Sequence, residues 1–170
     1  MTEQQTQLED NQYLTFRLGE EHYAFGILHV REILEYSKPT RMPMMPAFIQ
    51  GVISLRGEVV PVINLAKRFG LEESQVTKRT CVIVVEVRRG ELQLDLGVMV
   101  DAVSEVVEIP PDAVRPAPAF VARIGADFVR GMGKVNGEFV ILLSEDRVLT
   151  VEELEKVNQV AEAAEPEDIA

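Results

Sequence analysis

The chain states one pattern twice, about eighty residues apart. Residues 48–69 read FIQGVISLRGEVVPVINLAKRF and residues 128–149 read FVRGMGKVNGEFVILLSEDRVL; Phe48/Phe128, Gly51/Gly131, Gly57/Gly137, Glu58/Glu138 and Val60/Val140 coincide without a gap. Each passage has an aromatic lead-in, a glycine, a strand, a turn ending in Gly-Glu and a second, aliphatic strand. A glycine at such a turn takes positive φ without a Cβ clash, so each passage reads as a β-hairpin, and Gly51, Gly57, Gly131 and Gly137 read as structural turn glycines. Upstream, Val30-Arg31-Glu32-Ile33-Leu34-Glu35 answers Val103-Ser104-Glu105-Val106-Val107-Glu108, and Phe25-Gly26-Ile27 answers Leu96-Gly97-Val98. The offset falls from 80 to 73 to 71, as loops of unequal length require. A long period repeated only twice is a duplicated small domain, not a solenoid. The copies span about 13–79 and 80–149, with strands open to exchange between them.

Within each copy the strands are short and the turns frequent. Tyr13 to Leu18 alternates large and polar residues, the signature of a half-buried strand. Cys81 to Val87 reads as a buried strand, with Cys81 a small core residue, and Leu92, Leu94 and Leu96 alternate with Gln93 and Asp95. Asn64 to Phe69 predicts a turn or two of helix stopped by Gly70. About ten strands with little helix predict a mainly β fold of two SH3-like five-stranded barrels, since closing a small sheet removes its vulnerable edges. Thr150-Val151-Glu152-Glu153 is a capping box. Val151, Leu154, Val157 and Ala161 then recur at helical spacing, predicting a terminal helix over 150–161. Residues 1–12 and 162–170 are polar and acidic and read as flexible tails.

Charge excludes one class of partner. The net charge is −11, but between residues 13 and 150 there are 16 basic and 18 acidic side chains, so most of the acidity sits in the two ends. A nearly neutral body without an aromatic-basic stripe is a poor nucleic-acid binder, because neutralising phosphates needs clustered Lys and Arg. No run of about eighteen apolar residues offers a membrane span, and residues 1–12 contain no apolar stretch for a signal peptide; the expected address is the cytoplasm.

Catalytic patterns are absent as well. The two histidines, His22 and His29, have no metal-ligand spacing partner, and no nucleophile elbow, Walker loop or dinucleotide fingerprint occurs. The reading is a non-enzyme with no catalytic residue, metal site or cofactor. What distinguishes the copies is a surface feature: Arg56 precedes the turn glycine in copy one, where copy two has Asn136. A hairpin-tip arginine serves solvation or a partner, and Glu32 is open to the same two readings.

Gly51-Val-Ile-Ser-Leu-Arg-Gly-Glu-Val-Val-Pro-Val-Ile-Asn-Leu65 resembles the central motif of the CheW family, the coupling proteins of bacterial chemotaxis. Phe16 with Tyr23-Ala-Phe-Gly-Ile, Val30-Arg-Glu-Ile, Pro46-Ala-Phe-Ile-Gln-Gly, Val98 to Val103 and Arg115-Pro-Ala-Pro fall in the family's order, so the resemblance covers about 13–149. It implies two SH3-like barrels sharing an apolar interface. It also implies an adaptor without catalytic activity, joining the regulatory domain of a CheA-type histidine kinase to the cytoplasmic tip of methyl-accepting chemoreceptors, at receptor arrays on the inner face of the membrane. Carried over by position, Val30, Glu32 and Arg56 fall on the kinase contact, and Ile27, Val30, Ile33 and Val98 on an apolar receptor groove. Two positions depart from the commoner family pattern: Ser54 where asparagine is usual, and Asn64 where aspartate is usual. Both leave room for a paralogue serving another chemosensory pathway. A reading of a different class, a barrel that binds a small ligand between its halves, requires a convergent polar pocket.

Overall fold

The computed structural model describes residues 11–72, 75–118 and 128–163. The tails expected over 1–12 and 162–170 fall almost wholly outside them; where they enter, Gln12 opens the first strand and the last helix runs on to Ala163. The chain forms β1 (Gln12–Leu18), β2 (Glu21–Gly26), β3 (Val30–Glu35), β4 (Ile49–Leu55), β5 (Glu58–Asn64), α1 (Leu65–Arg68), β6 (Cys81–Arg89), β7 (Leu92–Val100), β8 (Ala102–Glu108), β9 (Val129–Val135), β10 (Glu138–Leu143) and α2 (Val151–Ala163). The fold is mainly β, two curled five-stranded sheets with short helices, as the repeat predicts.

The two halves of the sequence are not the two sheets. One sheet has the order β8-β1-β2-β10-β9 and the other β3-β6-β7-β5-β4. Each therefore takes its first hairpin from one copy and its other three strands from the other copy. The orders are identical once the copies are exchanged: β1 pairs antiparallel with β8 as β6 does with β3, and β2 pairs parallel with β10 as β7 does with β5. A cut between residues 79 and 80 divides both barrels rather than separating them.

Alternation along the strands sorts the core into layers. Leu14, Phe16, Leu18 and Phe25 of one sheet and Ile63, Ile83, Val85, Leu96 and Val98 of the other belong to one shared apolar cluster. The opposite faces bury smaller sets, Tyr13, Ala24, Val140 and Leu142 in the first sheet and Val62, Val82, Val84 and Met99 in the second. Burying each large aliphatic or aromatic side chain contributes about 1.5–3 kcal/mol, so the shared layer dominates and couples the sheets. Within it Phe69 stacks on Phe128 with centroids 4.8 Å apart and planes 5° from parallel. The Arg68 guanidinium lies 5.6 Å from the ring of Phe48 and 5.8 Å from that of Phe128, the lead-in aromatics of the two copies.

The helix ends follow their sequence signals. Asn64 accepts the Lys67 N–H at 3.2 Å and caps α1. Thr150 Oγ1 accepts the Glu153 N–H at 3.1 Å while Glu153 accepts the Thr150 N–H at 2.8 Å, the reciprocal box read from the sequence. Leu154 and Val157 of α2 are buried, whereas Val151 is 46% exposed and does not join them. Cys81 departs from expectation: it is half-buried at the start of β6, and its thiol donates to the Arg79 carbonyl at 3.1 Å.

Two of the four expected turn glycines are not in turns. Gly51 lies within β4 and Gly131 within β9, where another stretch of backbone crosses the strand: Thr40 exchanges both backbone bonds with Val52, and Arg115 does so with Met132. A Cβ on Gly51 would land on the Thr40 carbonyl, and one on Gly131 would come 2.7 Å from the Arg115 carbonyl oxygen. Gly57 and Gly137, by contrast, close the β4–β5 and β9–β10 turns at φ of 80° and 83° with open space where a Cβ would stand. Gly51→Ala and Gly131→Ala are each predicted to cost about 2 kcal/mol or more in urea unfolding, and Gly137→Ala about 1 kcal/mol. Equal losses at all three positions would refute this division of roles.

Candidate functional site

The strand β3 lies at an edge of its sheet, and a bulge decides which way its side chains face. Val30 pairs with Val85 but Glu32 pairs with Val84, so Arg31 is the extra residue. Without the bulge Val30 and Glu32 would share a face; with it, Val30 and Ile33 stand over Val85 and Ile83, members of the shared core, while Glu32 and Leu34 stand over Val84 and Val82 on the other side. A bulge also aims adjacent side chains to one side. Arg31 and Glu32 accordingly reach the same charged cluster.

That cluster brings together residues distant in sequence. Arg56 Nη2 lies 3.2 Å from Glu32 Oε1, and Arg31 Nη1 lies 3.4 Å from both Glu86 and Asp95. Arg31, Glu32, Arg56 and Asp95, together with Leu55, Glu58, Val60 and Val84, line a pocket of about 280 Å³. Burial is the main cause that raises the Asp95 carboxyl above its ordinary value; Arg31 pulls it back, and Glu86 and Glu58 raise it further. The sequence reading reached Glu32 and Arg56 but missed Arg31, Glu86 and Asp95. The alternation of Asp95 among leucines was visible, but the bulge that turns Arg31 toward it was not.

Arg56 holds its place under strain. Arg56 and Gly57 both have positive φ, 52° and 80°, and Asn136 and Gly137 repeat this at 51° and 83°. Such two-residue turns favour Asn-Gly because asparagine tolerates the left-handed region. Copy two has that residue. Copy one carries an arginine whose side chain is 79% exposed, with the Glu32 contact as its polar partner. Exposed pairs of this kind contribute little to stability, so folding alone does not account for the choice.

The opposite face of β3 is apolar and reaches the surface. Ile33 is 46% exposed at the end of a cross-strand row that continues through Ile83 to Val98. Val30 and Ile27 are half-buried and pack on the shared core. Val98 itself is fully buried at the centre of that row, so it lies beneath the groove and not on it. Val30 belongs with Ile27 and Ile33, and the bulge parts it from Glu32 and Arg56. Beside Ile27, a cleft of about 560 Å³ is lined by Tyr13, Leu28, His29, Pro111, Val114 and Arg130 among others, with Leu28 49% exposed.

Each histidine faces a carboxylate. His22 Nε2 lies 2.9 Å from Glu138, near the β9–β10 turn, and His29 Nε2 lies 3.8 Å from Glu145. Among the described residues no three His, Cys, Asp or Glu side chains are grouped to hold a metal ion, and no helix is long and apolar enough to cross a membrane.

Two barrels share one core, and an exposed edge strand displays unlike side chains on its two faces. The chain belongs to the CheW-like domain family, whose model matches residues 12–153. It is 35% identical over 152 residues to the chemotaxis protein CheW of Klebsiella aerogenes, covering 89% of each chain. It is 33% identical over 146 residues to the probable chemotaxis protein CheW of Rhizobium etli, covering 86% of this chain and 92% of that one. The crystal structure of the scaffolding protein TtCheW from Thermoanaerobacter tengcongensis matches with a TM-score of 0.76 at 34% identity, covering 85% of this chain and 90% of that one.

If Arg56 is retained against its backbone preference, removing it should help folding. Arg56→Asn is predicted to raise stability by about 0.5 kcal/mol in urea unfolding, the relief of left-handed strain exceeding the exposed pair. A loss of about 1 kcal/mol or more would show Arg56 to be structural.

Proposed function

We propose that the protein is a non-enzymatic adaptor that couples methyl-accepting chemoreceptors to a CheA-type histidine kinase, in the cytoplasm at receptor arrays. Membership of a chemotaxis scaffold family supports this reading. The observation that carries it is the division of β3 into two unlike faces. An adaptor needs two surfaces that do not compete, and opposite faces of one edge strand meet that need within a few ångströms of backbone.

The charged face, with Glu32, Arg56 and Arg31, is assigned to the regulatory domain of the kinase. Rim charges of this kind set orientation and encounter rate as well as affinity. The apolar line Ile27, Val30 and Ile33 is assigned to the receptor tip, a helical hairpin whose apolar stripe fits a groove by repeating contacts every three or four residues. Nucleic acid and direct membrane insertion have no part in this scheme.

Calorimetric titration of the chain with the regulatory domain of a CheA-type kinase from the same organism tests the charged face. Saturable one-to-one binding is expected. Arg56→Glu and Glu32→Arg should each weaken it about tenfold or more, equivalent to ~1.4 kcal/mol, while shifting folding stability by about 0.5 kcal/mol or less. Undiminished binding in both variants would remove this face from the kinase contact. Ile33→Asp should leave kinase binding intact and weaken capture of a receptor-tip fragment; loss of both together would deny the separation of faces.

A further inference from the structure

A buried carboxylate breaks the internal symmetry where one barrel passes to the other. The eighty-residue offset sets Glu145 against Leu65. Leu65 is fully buried in the shared core, and Glu145 is enclosed nearly as well, at 3% exposure. Copy one shows that an apolar side chain satisfies this position, and burying a charge there is costly unless it is paired and hydrogen-bonded.

The partners of Glu145 sit at both ends of one short link. The 3-10 turn Ile27–His29 carries the chain from β2 in the first sheet to β3 in the second. Gly26, just before it, donates its N–H to Glu145 Oε1 at 2.8 Å, and His29, its last residue, faces Glu145 Oε2 at 3.8 Å. Gly26 has an ordinary φ of −61°, so its backbone does not call for glycine. A Cβ there would stand 3.2 Å from Oε1, and its absence gives the carboxylate room. Leu28, in the middle of the turn, and His29 both line the large cleft.

Among the described residues, the charged groups facing Glu145 are His29 from this turn and Arg130 from β9. The strand β2 offers only the Gly26 amide. On β6, the Arg88 N–H goes to Asp146, its guanidinium to Gln93 and Glu86, and the Arg89 guanidinium to the Leu149 carbonyl. We propose that Glu145 is a proton-operated staple on the link between the barrels. Charged, it grips both ends of Ile27–His29 and fixes Leu28 and His29 in the cleft wall; protonated, it keeps the Gly26 amide and releases His29, loosening that wall.

Burial raises the Glu145 carboxyl above the ordinary glutamate value of 4.5, while His29, backbone amides and Arg130 pull it down. An acid whose folded value lies above its unfolded one contributes stability below pH 4.5 that is lost as pH rises through the folded value. Glu145→Gln should therefore unfold at a higher temperature than the parent at neutral pH, and this advantage should shrink in acid.

The test uses the full chain alone and so is independent of the adaptor reading. Nuclear magnetic resonance spectra are recorded across a titration from about pH 8 to about pH 4, a range bracketing imidazole and perturbed carboxyl groups. The Gly26 amide proton and the Leu28 methyls should move in a common transition. Glu145→Gln should abolish it with the remaining spectrum unchanged. His29→Asn, at a half-exposed site, should move the Gly26 midpoint upward, because the influence of His29 that lowers the Glu145 carboxyl is gone. A Gly26 amide that does not titrate, a transition that survives in Glu145→Gln, or Leu28 methyls that stay still while Gly26 moves would each overturn the proposal.

Discussion

Everything in this molecule depends on strands exchanged between the two copies of its repeat. Neither copy holds a complete sheet: β1 and β2 are completed by β8, β9 and β10, and β6 and β7 by β3, β4 and β5. Backbone donors and acceptors of each first hairpin are satisfied across the repeat boundary, and leaving them unpaired in a buried sheet would cost about 1–3 kcal/mol apiece. The exchange also explains the single shared core. Chain must cross between sheets at Ile27–His29 and again at Asp101, so the apolar faces of both sheets are drawn against one another and against α2.

Once two near-equivalent barrels are locked together, specificity lies where the copies differ. The glycines at Gly51 and Gly131 are the same in both because crossing backbone occupies the place of a Cβ in both barrels. Arg56 against Asn136 and Glu145 against Leu65 are different kinds of position: in each case the other copy holds the residue that local physics prefers. A departure from the locally preferred residue, repeated nowhere else in the duplication, is where function rather than folding sets the choice. The bulge at Arg31 is not of this kind: β8 slips against β1 between Val103 and Val106 in the same way, so the bulge belongs to the shared architecture and only the side chains it presents differ.

Much of the architecture was legible in the sequence for identifiable reasons. Period-two alternation marks Tyr13 to Leu18, Gly-Glu turns mark both hairpins, and Thr150 with Glu153 announces the last helix. Which strands pair was not legible, because the copies carry the same patterns and β2 could on pattern alone lie beside β5 or β10. The bulge escaped as well, because only the register with β6 shows the slip. That slip is why Val30 leaves Glu32 and Arg56. Val98 failed for another cause, since an apolar residue at the right spacing signals burial and groove alike, and here it is core.

The direct test of this account is whether either copy can fold without the other. Residues 1–79 and 80–170 would be prepared separately, and their circular dichroism followed with temperature, alone and mixed. Interlocked barrels predict no cooperative transition in either half alone and a cooperative β-type transition when the halves are combined. A native-like, cooperatively melting spectrum from one isolated half would contradict it, for then one copy would close a barrel of its own.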